Sequence, residues 1–205
     1  MPHKTSVALA VLVFVTMLVV AALKMMYDMM QDTAAGVRSK RLSSANSVSA
    51  FTLTNANAQA FGLQDLTGKV WVADFVFTTC ATTCPIMMEQ TSKLQKALPS
   101  KSGLTFVSIS INPTYDTPAV LKDFAQKHRA NHKNWQFLTG PIEDIKRLSV
   151  EGLKIGSPEE PLNHSTHFVL VDRRANIRGY YDATDDDAMA KLKKDARYLL
   201  ENPDA

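Results

Sequence analysis

The chain has 205 residues, of which 45% are hydrophobic, and its 23 basic and 20 acidic residues leave a net charge of +3. This length and composition suit one globular core with an appendage and exclude a second full domain. No run of basic residues is interleaved with aromatic residues, so nucleic-acid binding has no support in the sequence.

The amino-terminal segment Val7–Leu23 carries no charged residue. As a helix it would be about 26 Å long, enough to cross the hydrocarbon core of a bilayer when the side chain of Lys24 reaches back to the surface. We therefore expect a single membrane anchor. A cleaved signal peptide is the alternative, although residues 21–24 make a poor cleavage site.

The charges that flank this segment do not settle its orientation. One lysine precedes it, whereas Lys24, Arg38, Lys40 and Arg41 follow it. The larger number of basic residues after the segment disfavours export of the domain that follows, but large domains are translocated largely regardless of flanking charge. Residues 31–50 are polar and small and have no period, as in a tether. We expect an anchor with its flanks at 1–30, a tether at 31–50 and a globular domain at 51–205.

The domain opens with a predicted hairpin. Residues 51–54 alternate in polarity and predict an edge strand, a turn follows at 55–58, and residues 60–63 return. The run at 70–77, Val-Trp-Val-Ala-Asp-Phe-Val-Phe, is rich in β-branched and aromatic residues and is apolar except for Asp74. It predicts a central strand that is buried on both faces.

The two cysteines of the chain, Cys80 and Cys84, follow this strand directly. Residues 86–98 have apolar positions at helical spacing, so the local order is strand, cysteine pair, helix. With Cys84 in the first helical turn and Cys80 in the loop before it, both sulfurs point the same way. Backbone N–H groups at the helix start favour thiolate over thiol. The pair is suited to closing into a disulfide or to holding one metal ion.

Other interpretations of the cysteines stay open. Buried cysteines are often only small apolar side chains, but two of them at positions i and i+4, beside hydroxyl residues and a proline, favour a reactive or metal-binding role. Thiol-disulfide oxidoreductases usually have two residues between their cysteines, whereas three separate this pair. The wider spacing suits cysteines that also hold a soft metal ion.

The rest of the chain alternates between strands and helices. Strands are predicted at 104–111, 135–138, 167–172 and 177–181, and helices at 119–130, at 141–153 and from a cap at Thr184 to Glu201. Thr117 followed by Pro118 marks the start of the first of these helices. The pattern predicts an α/β fold with a mixed sheet and helices on both faces. Such folds place a reactive site at the carboxyl end of a central strand.

Three motifs occur in the order in which a known family has them. They are Phe-Val-Phe-Thr-Thr-Cys-Ala-Thr-Thr-Cys-Pro at 75–85, Ser-Ile-Ser-Ile-Asn-Pro-Thr-Tyr-Asp-Thr-Pro at 108–118 and Asn-His-Ser-Thr-His-Phe-Val-Leu-Val-Asp at 163–172. Across residues 50–200 the chain resembles the Sco/SenC copper-chaperone family, whose fold is thioredoxin-like. The resemblance implies a domain that is tethered to the inner membrane, faces the periplasm and helps to assemble the binuclear copper centre of cytochrome c oxidase.

The resemblance also carries three metal ligands onto this chain, namely Cys80, Cys84 and His164. Two thiolates and an imidazole suit Cu(I) and hold Cu(II) less comfortably. A disulfide between the cysteines would abolish binding and link copper loading to redox state. The implied partners are the copper-accepting subunit of cytochrome c oxidase and, beyond it, other periplasmic copper chaperones or thiol reductants.

The sequence departs from the family pattern at several positions. Family members often have a proline and an acid between the cysteines, where this chain has Ala-Thr-Thr at 81–83. Asn112 and Asn163 stand where aspartate is common. Loss of a carboxylate beside His164 is expected to affect copper affinity more than the fold.

Three classes of function follow from these residues. The first is a copper metallochaperone, the second a thiol-disulfide oxidoreductase in which Cys80 attacks and Cys84 resolves, and the third a peroxidase in which Cys80 meets peroxide. Among the other histidines, His128 and His132 lie four positions apart near a helix end, where the helix dipole alone accounts for cationic residues. His167 is expected to begin the next strand, with a fourth-ligand role as the alternative.

Overall fold

The computed structural model describes residues 16–17, 19–26, 47–98, 103–130, 133–160 and 165–205. The chain forms two units, Met1–Ser43 and Ser44–Ala205. In the first unit the described residues are helical, and the predicted anchor Val7–Leu23 falls largely outside them. None of the helices in the described ranges is both long enough and apolar enough to cross a membrane.

The described part of the second unit contains a seven-stranded sheet in the order β2-β1-β5-β4-β3-β6-β7. The strands are β1 (Thr52–Asn55), β2 (Ala60–Gly62), β3 (Val70–Val76), β4 (Leu104–Ser110), β5 (Trp135–Thr139), β6 (His167–Val171) and β7 (Ile177–Asp182). β3, β4 and β5 are parallel, whereas the outer strands join them by antiparallel pairing. The predicted mixed sheet is confirmed.

Helices flank this sheet. They are α1 (Leu63–Leu66), α2 (Thr83–Ala97), α3 (Pro118–Lys127), α4 (Ile142–Arg147), a π-helical turn at Leu148–Gly152, and α5 (Asp186–Glu201). The start of α3 is as predicted, because the Thr117 side chain accepts a hydrogen bond from the N–H of Val120 and Pro118 occupies the first helical turn.

β3 leads to the cysteines, and all seven of its residues are buried. Successive side chains of a strand point to opposite faces, so both faces of the sheet are covered, as the apolar run predicted. On one face Trp71 belongs to a buried cluster with Ile145 of α4. On the other, the ring of Phe137 in β5 contacts that of Phe124 in α3, with 5.9 Å between centroids. The predicted placement of helices on both faces is therefore confirmed.

The prediction that residues 51–54 form an edge strand is wrong. β1 pairs with β2 on one side and with β5 on the other, so β2 occupies the edge. Alternating polarity reports which face of a strand is buried and carries no information about its neighbours within the sheet.

The predicted cap at Thr184 is also wrong, since Asp185 caps α5. The Asp185 side chain accepts hydrogen bonds from the N–H groups of Asp187 and Ala188. The Thr184 hydroxyl donates instead to the Asp182 carboxylate at 2.8 Å. Asp185, with φ −105° and ψ 113°, has the extended backbone of the N-cap position, and Thr184 lies one residue before it.

The helix predicted at 141–153 changes its hydrogen-bond pattern halfway along. Its first part is α4, and the turn from Leu148 to Gly152 is π-helical, with the N–H of Leu153 donating to the carbonyl of Leu148 at 2.7 Å. Apolar spacing does not separate these two forms, because the side chains that it places on the buried side remain there.

Candidate metal and thiol site

The cysteine loop joins β3 to α2. β3 ends at Val76 and α2 begins at Thr83, so Cys80 lies in the loop and Cys84 is the second residue of the helix. The loop contains a tight turn in which the N–H of Cys80 donates to the carbonyl of Phe77 at 3.1 Å. The predicted order of strand, cysteine pair and helix is confirmed.

The two sulfurs lie next to each other at the start of α2. The backbone N–H of Cys84 points at the sulfur of Cys80, with 3.4 Å between N and Sγ. The Cys84 thiol forms a second hydrogen bond with the same sulfur. Both residues are free thiols, and Cys84 is 2% exposed whereas Cys80 is half-buried. The pair therefore has one accessible and one protected sulfur on a common side.

The environments of the two thiols push their pKa values apart. Burial raises the pKa of Cys80, but hydrogen bonds from the backbone and side chains of Cys84 and Thr82 more than offset this and bring the pKa from 9.0 to about 7. For Cys84 burial dominates and raises the pKa from 9.0 to about 12, and the charges of Cys80 and Asp74 add to the rise. Near neutral pH about half of the Cys80 side chains are therefore thiolate, whereas Cys84 remains a thiol.

A buried carboxylate fixes the loop in place. Asp116 is fully buried, and its Oδ2 accepts a hydrogen bond from the N–H of Thr78 at 3.2 Å and one from the hydroxyl of Ser110 at 2.5 Å. The Thr78 hydroxyl donates to the other carboxylate oxygen. Thr78 lies two residues before Cys80, so Asp116 ties the cysteine loop to the loop between β4 and α3.

A second buried carboxyl group lies within electrostatic reach of the cysteines. Asp74 of β3 is 2% exposed, and its Oδ1 accepts a hydrogen bond from Ser108 at 2.7 Å. Ser108 in turn accepts one from the indole N–H of Trp135 at 3.0 Å. The Oδ2 atom of Asp74 has no hydrogen-bond partner among the described residues. Burial raises the pKa of Asp74 to about 7. The hydrogen bond from Ser108 lowers this pKa and so offsets part of the rise.

His164, the predicted third ligand, lies outside the described residues, as does Asn163 beside it. Within the described ranges, no three His, Cys, Asp or Glu side chains are grouped so that they could hold a metal ion. The structure thus places the two sulfurs, and the imidazole remains a prediction.

The other candidate histidines have local partners or lie outside the described residues. His167 begins β6 as predicted, with its Nδ1 3.3 Å from the Ser165 hydroxyl. The ring of His128 packs on Phe124 at 4.4 Å between centroids, and burial, followed by the charge of Lys127, lowers its pKa. His132 lies outside the described residues.

Asp74 and Asp116 are the site residues to which the sequence assigned no role. The signal for Asp74 was present, because it is the one charged residue in an otherwise apolar buried strand, and a charge there needs a reason. Asp116 gave no such signal, since an aspartate in a loop before a helix is ordinary. Its contact with Thr78 joins residues that are 38 positions apart.

Comparison with known proteins agrees with this arrangement. The SCO1/SenC family model matches residues 39–199 of the chain. The SCO1 protein homolog of Bacillus subtilis (strain 168) is 32% identical over 156 residues, which is 71% of this chain and 81% of the relative.

Two solved structures have the same fold. A SCO1/SenC family lipoprotein from Bacillus anthracis str. Ames is 36% identical with a TM-score of 0.66, over 75% of this chain and 94% of that one. BsSco, described as a member of the Sco family of cytochrome c oxidase assembly proteins with a disulfide switch, is 30% identical with a TM-score of 0.66, over 76% and 94% of the two chains. With its thioredoxin-like α/β fold and its cysteine pair at the start of α2, this chain belongs to the SCO1/SenC family.

Proposed function

We propose that this protein binds copper and takes part in assembly of the binuclear copper centre of cytochrome c oxidase, either by delivering copper or by reducing the cysteines that receive it. The observation that carries the proposal is the pair of adjacent sulfurs at the start of α2, one of them accessible and with its pKa lowered to about 7. Such a pair offers soft donors and a reactive thiolate in the same place.

The donor set fits copper. The sulfurs of Cys80 and Cys84 would hold the ion, and the imidazole of His164 would complete a soft, low-coordinate site that favours Cu(I) and accepts Cu(II) less readily. Family membership supports this assignment, because structures of more distant relatives that share the fold, at 21–24% identity, contain copper. The copper-accepting subunit of cytochrome c oxidase is the corresponding partner, since BsSco is described among the assembly proteins of that enzyme.

The second candidate function is thiol-disulfide exchange, which the separated pKa values favour. The Cys80 thiolate would attack one sulfur of a partner disulfide, forming a mixed disulfide and releasing the first partner thiolate. Cys84 would then lose its proton and attack Cys80, releasing the second partner thiolate. The partner disulfide gains two electrons, and the pair of Cys80 and Cys84 becomes a disulfide.

We also propose that the protein is anchored in the inner membrane by a single helix and that its domain lies on the periplasmic side. The uncharged segment Val7–Leu23 supports an anchor, and the related Bacillus anthracis protein is described as a lipoprotein. In this proposal residues 1–30 are the anchor with its flanks, residues 31–50 the tether and residues 51–205 the globular domain. Val48, two residues before the end of the proposed tether, is 3% exposed and belongs to the core cluster.

Copper stoichiometry of the reduced chain tests the metal site. We expect about one Cu(I) per chain for the wild type, and loss of tight binding in Cys80→Ser, Cys84→Ser and His164→Ala. His167→Ala is the matched control, because this histidine bonds locally to Ser165, and it should bind copper as the wild type does. His164→Ala should retain dithiol exchange. If it binds copper normally, the three-ligand site is wrong and the exchange function is what remains.

A further inference from the structure

A positively charged groove runs along α2 from the cysteine end. It has a volume of about 320 Å³ and lies between one side of α2 and the end of α3. Its charged and titratable lining consists of Glu89, Lys93, Lys96, Lys127, His128 and Arg129. Two helices thus bring four basic side chains and one carboxylate to a single concave surface.

Most of this positive charge has no counterion among the described residues. Glu89 pairs with Lys93 at 2.9 Å, whereas Lys96, Lys127 and Arg129 form no ion pair with any described residue. The segments 99–102 and 131–132, which lie outside the described residues, contain no Asp or Glu in their sequence. Like charges that converge in this way repel one another, and an anionic occupant would relieve the repulsion.

The helix dipole explains only part of this arrangement. A basic residue in the last turn of a helix is stabilised by the carbonyl ends, and this accounts for Lys96 in α2 and Lys127 in α3 separately. It does not require the two helix ends to face the same groove. The backbone of Arg129 has a φ of 53°, an unusual conformation for a side chain of this kind, and this turn holds Arg129 beside Lys127 on the groove wall.

One end of the groove lies at the first turn of α2, the turn that carries Cys84. Pro85, which follows Cys84 directly, lines one end of it, and Lys96 lines the other. The eleven helical steps from Pro85 to Lys96 span about 16 Å, which matches about five residues of an extended peptide. A segment bound here would have one end next to the cysteine pair.

Exposed apolar side chains occur close in sequence to Cys84 and to the residue that holds the cysteine loop. In the described part of the domain the exposed large apolar residues are Ile86, Tyr115 and Tyr180. Ile86 is two residues beyond Cys84, and Tyr115 precedes Asp116, which holds the loop. Apolar side chains beside a charged groove are typical of a protein interaction surface.

We propose that this groove docks an acidic segment of the protein with which Cys80 and Cys84 exchange copper or disulfides. The inference rests on the proposed function, because both exchanges require the partner's sulfurs to come within bonding distance of this pair. Charge complementarity favours an acidic partner, and Pro85 in the lining brings one end of the groove to the helical turn that carries Cys84. Glu89 is the single carboxylate among the described residues that line the groove, and it is paired with Lys93.

The test measures binding of fluorescein-labelled hexaglutamate to the full chain by fluorescence anisotropy at low and high salt. We expect the double variant Lys96→Glu/Lys127→Glu to weaken binding about tenfold or more at low salt, and the neutral Lys96→Gln/Lys127→Gln to weaken it less. The matched control, Lys69→Glu/Lys194→Glu, changes the net charge equally at exposed positions outside the groove lining, and its affinity should stay within about twofold of the wild type.

Each outcome decides the inference. Failure of hexaglutamate to bind the wild type, unchanged binding by the Lys96→Glu/Lys127→Glu variant, or an equal loss in the control variant would overturn it, the last because net charge alone would then account for binding. Copper stoichiometry, measured on the same preparations, should be the same in the wild type and both charge-reversed variants. If the wild type binds no copper, the proposed metal function fails. The hexaglutamate measurement still tests independently whether the groove binds an acidic segment.

Discussion

Replacing Asp74 by asparagine should change how the stability of the domain depends on pH. Burial raises the pKa of Asp74 from its ordinary value of 3.8 to about 7. Below about pH 4 this carboxyl is protonated in both the folded and the unfolded chain. As the pH rises, the unfolded chain releases the proton first, so the free energy of unfolding falls until the folded carboxyl also ionises near pH 7.

The size of this effect follows from the two pKa values. A difference of about three pKa units corresponds to about 4 kcal/mol of lost stability once the pH is well above 7. About 2.5 kcal/mol of that loss develops between pH 5 and pH 8. Asp74→Asn removes the ionisation but keeps an oxygen that can accept the hydrogen bond from Ser108. The stability of the variant relative to the wild type should therefore rise by about 2.5 kcal/mol between these two pH values.

Urea unfolding of the reduced wild type and Asp74→Asn at pH 5 and pH 8 measures this difference directly. Val72→Ala is the matched control in the same strand, since Val72 is 1% exposed and has no titratable group. Its cost should be equal at the two pH values. A difference between Asp74→Asn and wild type that does not change with pH would show that Asp74 does not titrate as its burial requires.

Two further predictions concern the cysteine pair and a buried ion pair. Iodoacetamide should alkylate Cys80 in the reduced protein, with a rate that rises with a midpoint near pH 7, and should leave Cys84 unmodified. Mass spectrometry of the intact chain measures this labelling. Equal labelling of both cysteines would contradict the order of their pKa values. Arg178→Met should lower the free energy of unfolding by about 3 kcal/mol, because it leaves the buried Asp172 carboxylate without its cation at 2.8 Å. Urea midpoints test this against the exposed-pair variant Lys93→Ala, which should unfold like the wild type; equal midpoints for both variants would refute it.

The cysteine loop could be predicted from sequence because its signals are local. The apolar run that ends before Thr78, the proline after Cys84 and the apolar spacing beyond it each restrict the backbone within a few residues. The structure places Cys80 in the loop and Cys84 in the helix, as those signals indicated.

Features that depend on distant residues were not predictable in this way. The role of Asp116 exists only because β3 and β4 pair in parallel and end at the same edge of the sheet, which brings Thr78 and Ser110 to one carboxylate. The choice between two neighbouring capping residues was also not predictable from the sequence. Thr184 and Asp185 are both good capping residues, and the backbone places Asp185, not Thr184, at the N-cap position of α5.

The difference between the two thiols affects copper binding and disulfide exchange in different ways. Exchange needs one thiolate that attacks and one thiol that reacts later, which pKa values of about 7 and about 12 provide in the metal-free protein. In the proposed copper site both sulfurs would bind as thiolates, and burial together with the charge of Asp74 opposes this at Cys84. The positive charge of a bound ion offsets that opposition, so copper loading must release the Cys84 proton and should become tighter as the pH rises. The two proposed activities therefore use one thiol pair in two protonation states.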